Sequence, residues 1–238
     1  MPIYRLTRDL VFPPVEHAED GVLAVGGDLR PERLLLAYRQ GIFPWYHDGI
    51  PILWHSPDPR AVLWTDALRV NRTLRKLLRR RPYLVTVDRA FPAVIRACKE
   101  AFRPGQDGTW ITDEMEDAYT ALHALGHAHS VEAWQGDQLV GGLYGVALGR
   151  MYFGESMFSR ADSASKVAAI GLVQLLRAWE YPVVDCQVLN EHTRGLGAVE
   201  VTRREYLRII GRQLQLPGHP PPWTAEPFAP EAPASAAE

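Results

Sequence analysis

Apolar residues recur at helical spacing in some stretches of the chain and alternate with polar ones in others, and these two rhythms divide most of it into elements. Leu34, Leu35 and Tyr38 form one face of a helix that Asp28 is placed to cap and Gly41 to end. Ile42-Phe43-Pro44-Trp45-Tyr46 follows. Its proline bars further helix, so its large aromatics are either buried or presented as a platform. Two short apolar segments, Ile52 to Trp54 and Ala61 to Trp64, flank the turn-like Ser56-Pro57-Asp58-Pro59. Residues 1–64 read as a small N-terminal domain.

Residues 69–81 have helical period, with Val70, Leu74, Leu77 and Leu78 on one stripe. Tyr83 to Val87 reads as a strand and Phe91 to Phe102 as a helix. Thr112 caps another, with Asp113, Glu114 and Glu116 near its positive end and Gly126 beyond its close. Three strands are predicted next, at 129–134, 139–147 and 150–153, and the short links between them imply an antiparallel meander. A helix over 164–179, a buried strand over 183–188 and a helix over 203–214 complete residues 65–216 as the main domain of an α+β fold. The tail, residues 217–238, holds seven prolines and no Lys or Arg, a composition that predicts disorder.

The chain has 238 residues, 47% of them hydrophobic and 23% charged, proportions that suit a globular fold of one large domain or two small ones. Cys98 and Cys186 are too few for a disulfide framework and lack zinc-ribbon spacing. The first residues read as no signal peptide. The longest apolar run, Leu139 to Leu148, is about half a membrane span, so the expectation is a cytoplasmic protein without a membrane partner.

Val183 to Asn190 is the most informative segment for chemistry. On a regular strand Asp185 and Gln187 share one face while Cys186 points into the core. An acid and an amide aimed into one cleft can hold and partly deprotonate an amine; the alternative is an aspartate that ties down a strand end. Glu155, among Tyr152, Phe153, Met157 and Phe158, either meets a cation in an apolar pocket or belongs to an internal ion pair. His123, His127 and His129 have metal-like spacing, but Gly126 separates them and no carboxylate or cysteine follows at ligand spacing, so no metal is expected. The loop from His192 to Gly197 loosely echoes the pyrophosphate loop of coenzyme A-dependent transferases, without leading directly into a helix.

Residues 69–81 carry six arginines and Lys76 with no acid. Arg72, Arg75, Lys76, Arg79 and Arg80 project from one broad side, a row of cations suited to the phosphates of a nucleic acid. The net charge of −2 conceals this row. With these seven cations set aside, 19 basic side chains face 28 acidic ones.

Seven stretches in order resemble the leucyl/phenylalanyl-tRNA–protein transferase family: Gly26 to Leu29, Gly41 to Trp45, Ser56 to Trp64, Gly108 to Thr112, Leu125 to Ser130, Gly154 to Arg160 and Asp185 to Asn190. The resemblance implies a small N-terminal domain followed by a GNAT-like acyltransferase domain. It implies an enzyme that moves Leu or Phe, with Met a further candidate, from aminoacyl-tRNA to the N-terminal amine of proteins beginning with Arg or Lys, marking them for N-end-rule degradation. No cofactor and no metal is implied. Asp185 and Gln187 match the family's pair at the attacking amine. Trp45 and Trp110 match aromatics at the terminal adenosine and aminoacyl end, Glu155 a polar site residue and Met157 a wall of the side-chain pocket. Leu143, Tyr152 and Leu172 stand where relatives carry Met or Phe, which leaves the choice between Leu and Phe open.

Overall fold

The computed structural model describes residues 3–101 and 109–233. Phe102, Gly108 and the tail beyond residue 233 lie outside the described residues. A small four-stranded sheet is built from β1 (Tyr4–Leu6), β2 (Val22–Gly26), β3 (Phe43–Pro44) and β4 (Leu53–His55), in the order β1-β2-β4-β3. Helix α1 (Pro31–Arg39) packs beside it through Leu34, Ala37 and Tyr38. Asp28 does not cap this helix. The cap position is Arg30, which has no side-chain bond to the helix end, and Asp28 instead accepts from the Arg30 N–H and pairs with the buried guanidinium of Arg33. Phe43 and Tyr46 are buried while Trp45 is 41% exposed, so the aromatic loop both fills a core and presents a platform.

β5 (Arg60–Trp64) leaves the first sheet and joins a seven-stranded one, although the sequence groups it with the first 64 residues. Helices α2 (Arg72–Arg80), α3 (Phe91–Glu100) and α4 (Asp113–Ala124) follow, with β6 (Leu84–Val87) between the first two. Asn71 caps α2 and Thr112 caps α4, each accepting a backbone N–H three residues on. β7 (Ala128–Gln135), β8 (Gln138–Leu148) and β9 (Met151–Ser159) form the expected antiparallel meander, and β9 runs six residues further than its predicted end at 153. Helix α5 (Ala164–Ala178) carries the chain across the sheet to β10 (Val183–Gln187), which lies parallel to β9 and antiparallel to β5. The short α6 (Glu191–Gly195), β11 (Val199–Val201) and α7 (Arg203–Gln213) complete the order β11-β5-β10-β9-β8-β7-β6.

Alternation along the strands divides the core between the two faces of this sheet. Val183 packs with α3, α4 and the N-terminal residues, whereas Val184 packs with α2 and α5.

Residues 217–233 depart from the disorder that composition predicts for the tail. Residues 217–233 form an ordered strap whose apolar side chains anchor it without regular secondary structure. Trp223 is buried and stacks on His129 at 3.8 Å, and Phe228 exchanges two backbone hydrogen bonds with Val85 on the edge of the sheet. Its end reaches α2, where Arg75 donates to the Pro233 carbonyl and Arg81 pairs with Glu231.

Candidate active site

β9 and β10 are paired only as far as Phe153 and Asp185, and beyond that point they border a cleft of about 1140 Å³. Two irregularities shape its floor. On β9, Tyr144 faces Ser156 and Gly145 faces Gly154, which leaves Glu155 as an extra residue. On β10, Asp185 faces Val62 and Gln187 faces Ala61, which leaves Cys186 over and gives Gln187 a φ of +62°.

The second bulge breaks the shared face that strand alternation gives Asp185 and Gln187. Asp185 does not look into the cleft. Its carboxylate is fully buried and accepts from Arg60 Nε at 2.9 Å and Nη2 at 2.6 Å, and from the Tyr206 hydroxyl at 2.5 Å. Its Oδ1 also accepts the backbone N–H of Gln187 at 2.8 Å. Cys186, expected in the core, is half-buried and lines the cleft beside Gln187. Desolvation, with the carboxylate of Asp185 nearby, pushes its thiol up to about 12, so it supplies no thiolate.

What meets Gln187 in the cleft is Glu155. The Gln187 amide donates from Nε2 to Oε1 of Glu155 at 2.9 Å, and the Tyr119 hydroxyl donates to Oε2 at 3.1 Å. Tyr38 in turn bonds the Tyr119 hydroxyl. Burial raises the Glu155 carboxyl to about 7, against the opposing pull of the tyrosine hydroxyls, and the nearby Asp185 carboxylate adds to the rise. A carboxyl that titrates at neutrality can hold a proton or release one. Because its Nε2 is engaged, Gln187 is left with Oε1 as an acceptor for an incoming N–H.

The remaining expected residues gather around this pair. Trp45, Trp110, Leu143, Tyr152, Met157 and Leu172 all line the same cleft. Arg72, Lys76, Arg79 and Arg80 are exposed on α2, whereas Arg75 is half-buried, with Nε donating to the Val70 carbonyl and Nη1 to that of Pro233. Arg75 is therefore the least available of the five. His129 is bound to Asp88 and His123 to the Ala128 carbonyl, and no cluster of three metal-binding side chains occurs among the described residues. The residues from His192 to Gly195 lie in α6, and the N–H groups of Thr193, Arg194, Leu196, Gly197 and Ala198 are spent on local bonds. They offer no cradle for a pyrophosphate.

Arg60, Tyr206, Tyr38 and Tyr119 support the site without having signalled it in the sequence. Tyr38 lies on the apolar stripe of α1, and Tyr119 on a helix legible only by its cap and acidic first turn. The one clue to Arg60 is a cation placed directly before the apolar run Ala61 to Leu63.

A family profile described as "Leucyl/phenylalanyl-tRNA protein transferase" matches residues 62–211, and one for the N-terminal domain of the same description matches residues 27–58. The chain belongs to this family. It is 53% identical over 227 residues to the leucyl/phenylalanyl-tRNA–protein transferase of Syntrophobacter fumaroxidans, covering 95% of this chain and 97% of that one. It is 58% identical over 218 residues to that of Anaeromyxobacter sp. strain K, covering 91% and 94%. Among solved structures, it has a distant likeness to L-PGS from Bacillus licheniformis, with 13% identity and a TM-score of 0.41 over 68% of this chain and 54% of the other. The family's N-terminal profile ends before β5, the strand that enters the seven-stranded sheet.

Proposed function

We propose that this chain transfers Leu or Phe from aminoacyl-tRNA to the N-terminal amine of proteins that begin with Arg or Lys, with Glu155 and Gln187 at the reacting amine. Family membership gives the reaction. The observation that carries the assignment is the Gln187–Glu155 hydrogen bond on the floor of an otherwise largely apolar cleft.

The aminoacyl ester is already activated, so the enzyme needs to bring two substrates together and uncharge one amine. An α-ammonium group has a pKa of about 7.7–8, close to that of Glu155 at about 7. Moving a proton from the amine to Glu155 is then uphill by only about 1 kcal/mol. Gln187 Oε1 accepts a remaining N–H and aims the lone pair at the ester carbonyl. As the carbon–nitrogen bond forms and the ester C–O bond breaks, the second amine proton passes to the departing ribose oxygen. Asp185 shapes the backbone that presents Gln187, and its carboxylate stays with Arg60.

Leu143, Tyr152, Met157 and Leu172 measure the donor side chain, while Trp45 and Trp110 offer faces for stacking the terminal nucleoside. The exposed cations of α2 contact tRNA phosphates. The parting of parallel β9 and β10 supports reading residues 65–216 as a GNAT-like acyltransferase domain, with residues 1–64 contributing the Trp45 side of the cleft. The same reading places the protein in the cytoplasm with its charged tRNA, without metal or cofactor, and its products enter N-end-rule degradation.

The test is direct. Incubation with Phe-tRNA and an Arg-initiated peptide should extend the peptide by Phe, and absence of extension by folded protein contradicts the proposal.

A further inference from the structure

Arg60 ties the turn after α1 to β10. Its guanidinium is fully buried; Nε and Nη2 grip Asp185, Nη2 also donates to the Tyr206 hydroxyl at 3.3 Å, and Nη1 donates to the Gly41 carbonyl at 3.2 Å. Its Cζ lies over the ring of Phe43 at 4.7 Å and over that of Tyr206 at 4.6 Å. Gly41 ends α1 at a φ of +75°, and a Cβ there would sit 3.1 Å from the Tyr206 ring, so the chain turns tightly against this cluster. Phe43 lies two residues before Trp45. Asp185, on the other side of the guanidinium, holds the backbone N–H of Gln187 and with it the bulge from which Gln187 reaches Glu155.

We infer that Arg60 is a positioning residue for transfer, fixing the Trp45 loop against the Gln187 bulge so that the nucleoside end of the donor and the acceptor amine meet in register. The inference rests on the roles given above to Trp45 and Gln187. A buried ion pair is weak evidence of stability, because desolvation offsets most of its attraction. What a guanidinium adds is a rigid fork that fixes direction as well as distance. Direction matters here, since a displacement of about 1 Å at a reacting centre can cost on the order of a hundredfold in rate.

The experiment is a double-mutant cycle on steady-state transfer of Phe from Phe-tRNA to an Arg-initiated peptide. Arg60→Lys keeps the charge but loses the fork; it should lower kcat by about tenfold or more and raise KM for Phe-tRNA severalfold. In a Gln187→Ala background the same change should lower kcat no further. Additive losses in kcat, or wild-type kcat and KM in Arg60→Lys, overturn the inference while leaving the role of Gln187 intact. Wild-type kcat in Gln187→Ala instead removes the role of Gln187, and this inference with it. Should Arg60→Lys not fold, Tyr206→Phe serves in the same cycle. It removes only the hydroxyl shared by Asp185 and Arg60, and a severalfold loss of kcat that vanishes in the Gln187→Ala background is expected, with additivity again contradicting the inference.

Discussion

Gln187 donates its amide to Glu155 at 2.9 Å, while the carboxylate of Asp185, two residues earlier on the same strand, is turned away from the cleft and held by Arg60. Three polar groups that the family resemblance assigns to one site are thus divided between two tasks. Asp185 supports the backbone; Gln187 and Glu155 face the cleft.

Substitutions at the two positions of β10 should therefore fail in different ways. Asp185→Ala leaves the Arg60 charge buried without a partner, which should cost about 3–5 kcal/mol of stability. Gln187→Ala removes one hydrogen bond on the floor of the cleft and should change stability by about 1 kcal/mol while lowering transfer sharply. Denaturant unfolding beside transfer rates separates the two effects. Equal stability in both variants would contradict the buried role of Asp185.

Glu155 should make stability depend on pH. Its carboxyl titrates at 4.5 when unfolded and at about 7 when folded, so its contribution is fully present below about 4.5 and is lost as pH rises through 7. Glu155→Gln should match the parent near pH 4.5 and exceed it by up to about 3 kcal/mol at pH 8. Thermal unfolding across that range checks the sign. A variant less stable than the parent at pH 8 would place the folded pKa on the wrong side.

The basic helix should bind tRNA unevenly along its length. Arg79→Ala with Arg80→Ala should reduce the slope of log affinity against log salt by up to about 0.7–0.9 per lost phosphate contact. Arg75→Ala should reduce it less, because its guanidinium is held by the carbonyls of Val70 and Pro233. Titration of tRNA binding with salt distinguishes them, and an equal or larger effect at Arg75 would show that the strap's end is displaced on binding.

Periodicity made the meander, α5, α7 and the caps of α4 legible, because each is a local pattern with a local cause. The bulges at Glu155 and Cys186 were not. Alternation assumes an unbroken register, and a single extra residue re-aims every side chain beyond it, so Gln187 reaches the cleft while Asp185, one bulge earlier, stays buried on the other side. The strap misled for another reason. Its prolines rule out helix and ladder, but Trp223 and Phe228 supply anchors that composition alone averages away. Trp45, Trp110, Leu143, Tyr152, Glu155, Met157 and Leu172 all line one cleft, and it was family resemblance rather than any pattern of period or spacing that joined them in advance.

The central claim is that Glu155, hydrogen-bonded to Gln187, takes the proton from the attacking amine. It is tested most directly by the single-turnover rate of Phe transfer to an Arg-initiated peptide in Glu155→Gln, measured from pH 6 to 9 with both substrates saturating. The expected result is a loss of about 10²–10⁴-fold at pH 7 and the disappearance of the rate's titration near 7. A variant that keeps the parent's rate and pH profile would contradict it.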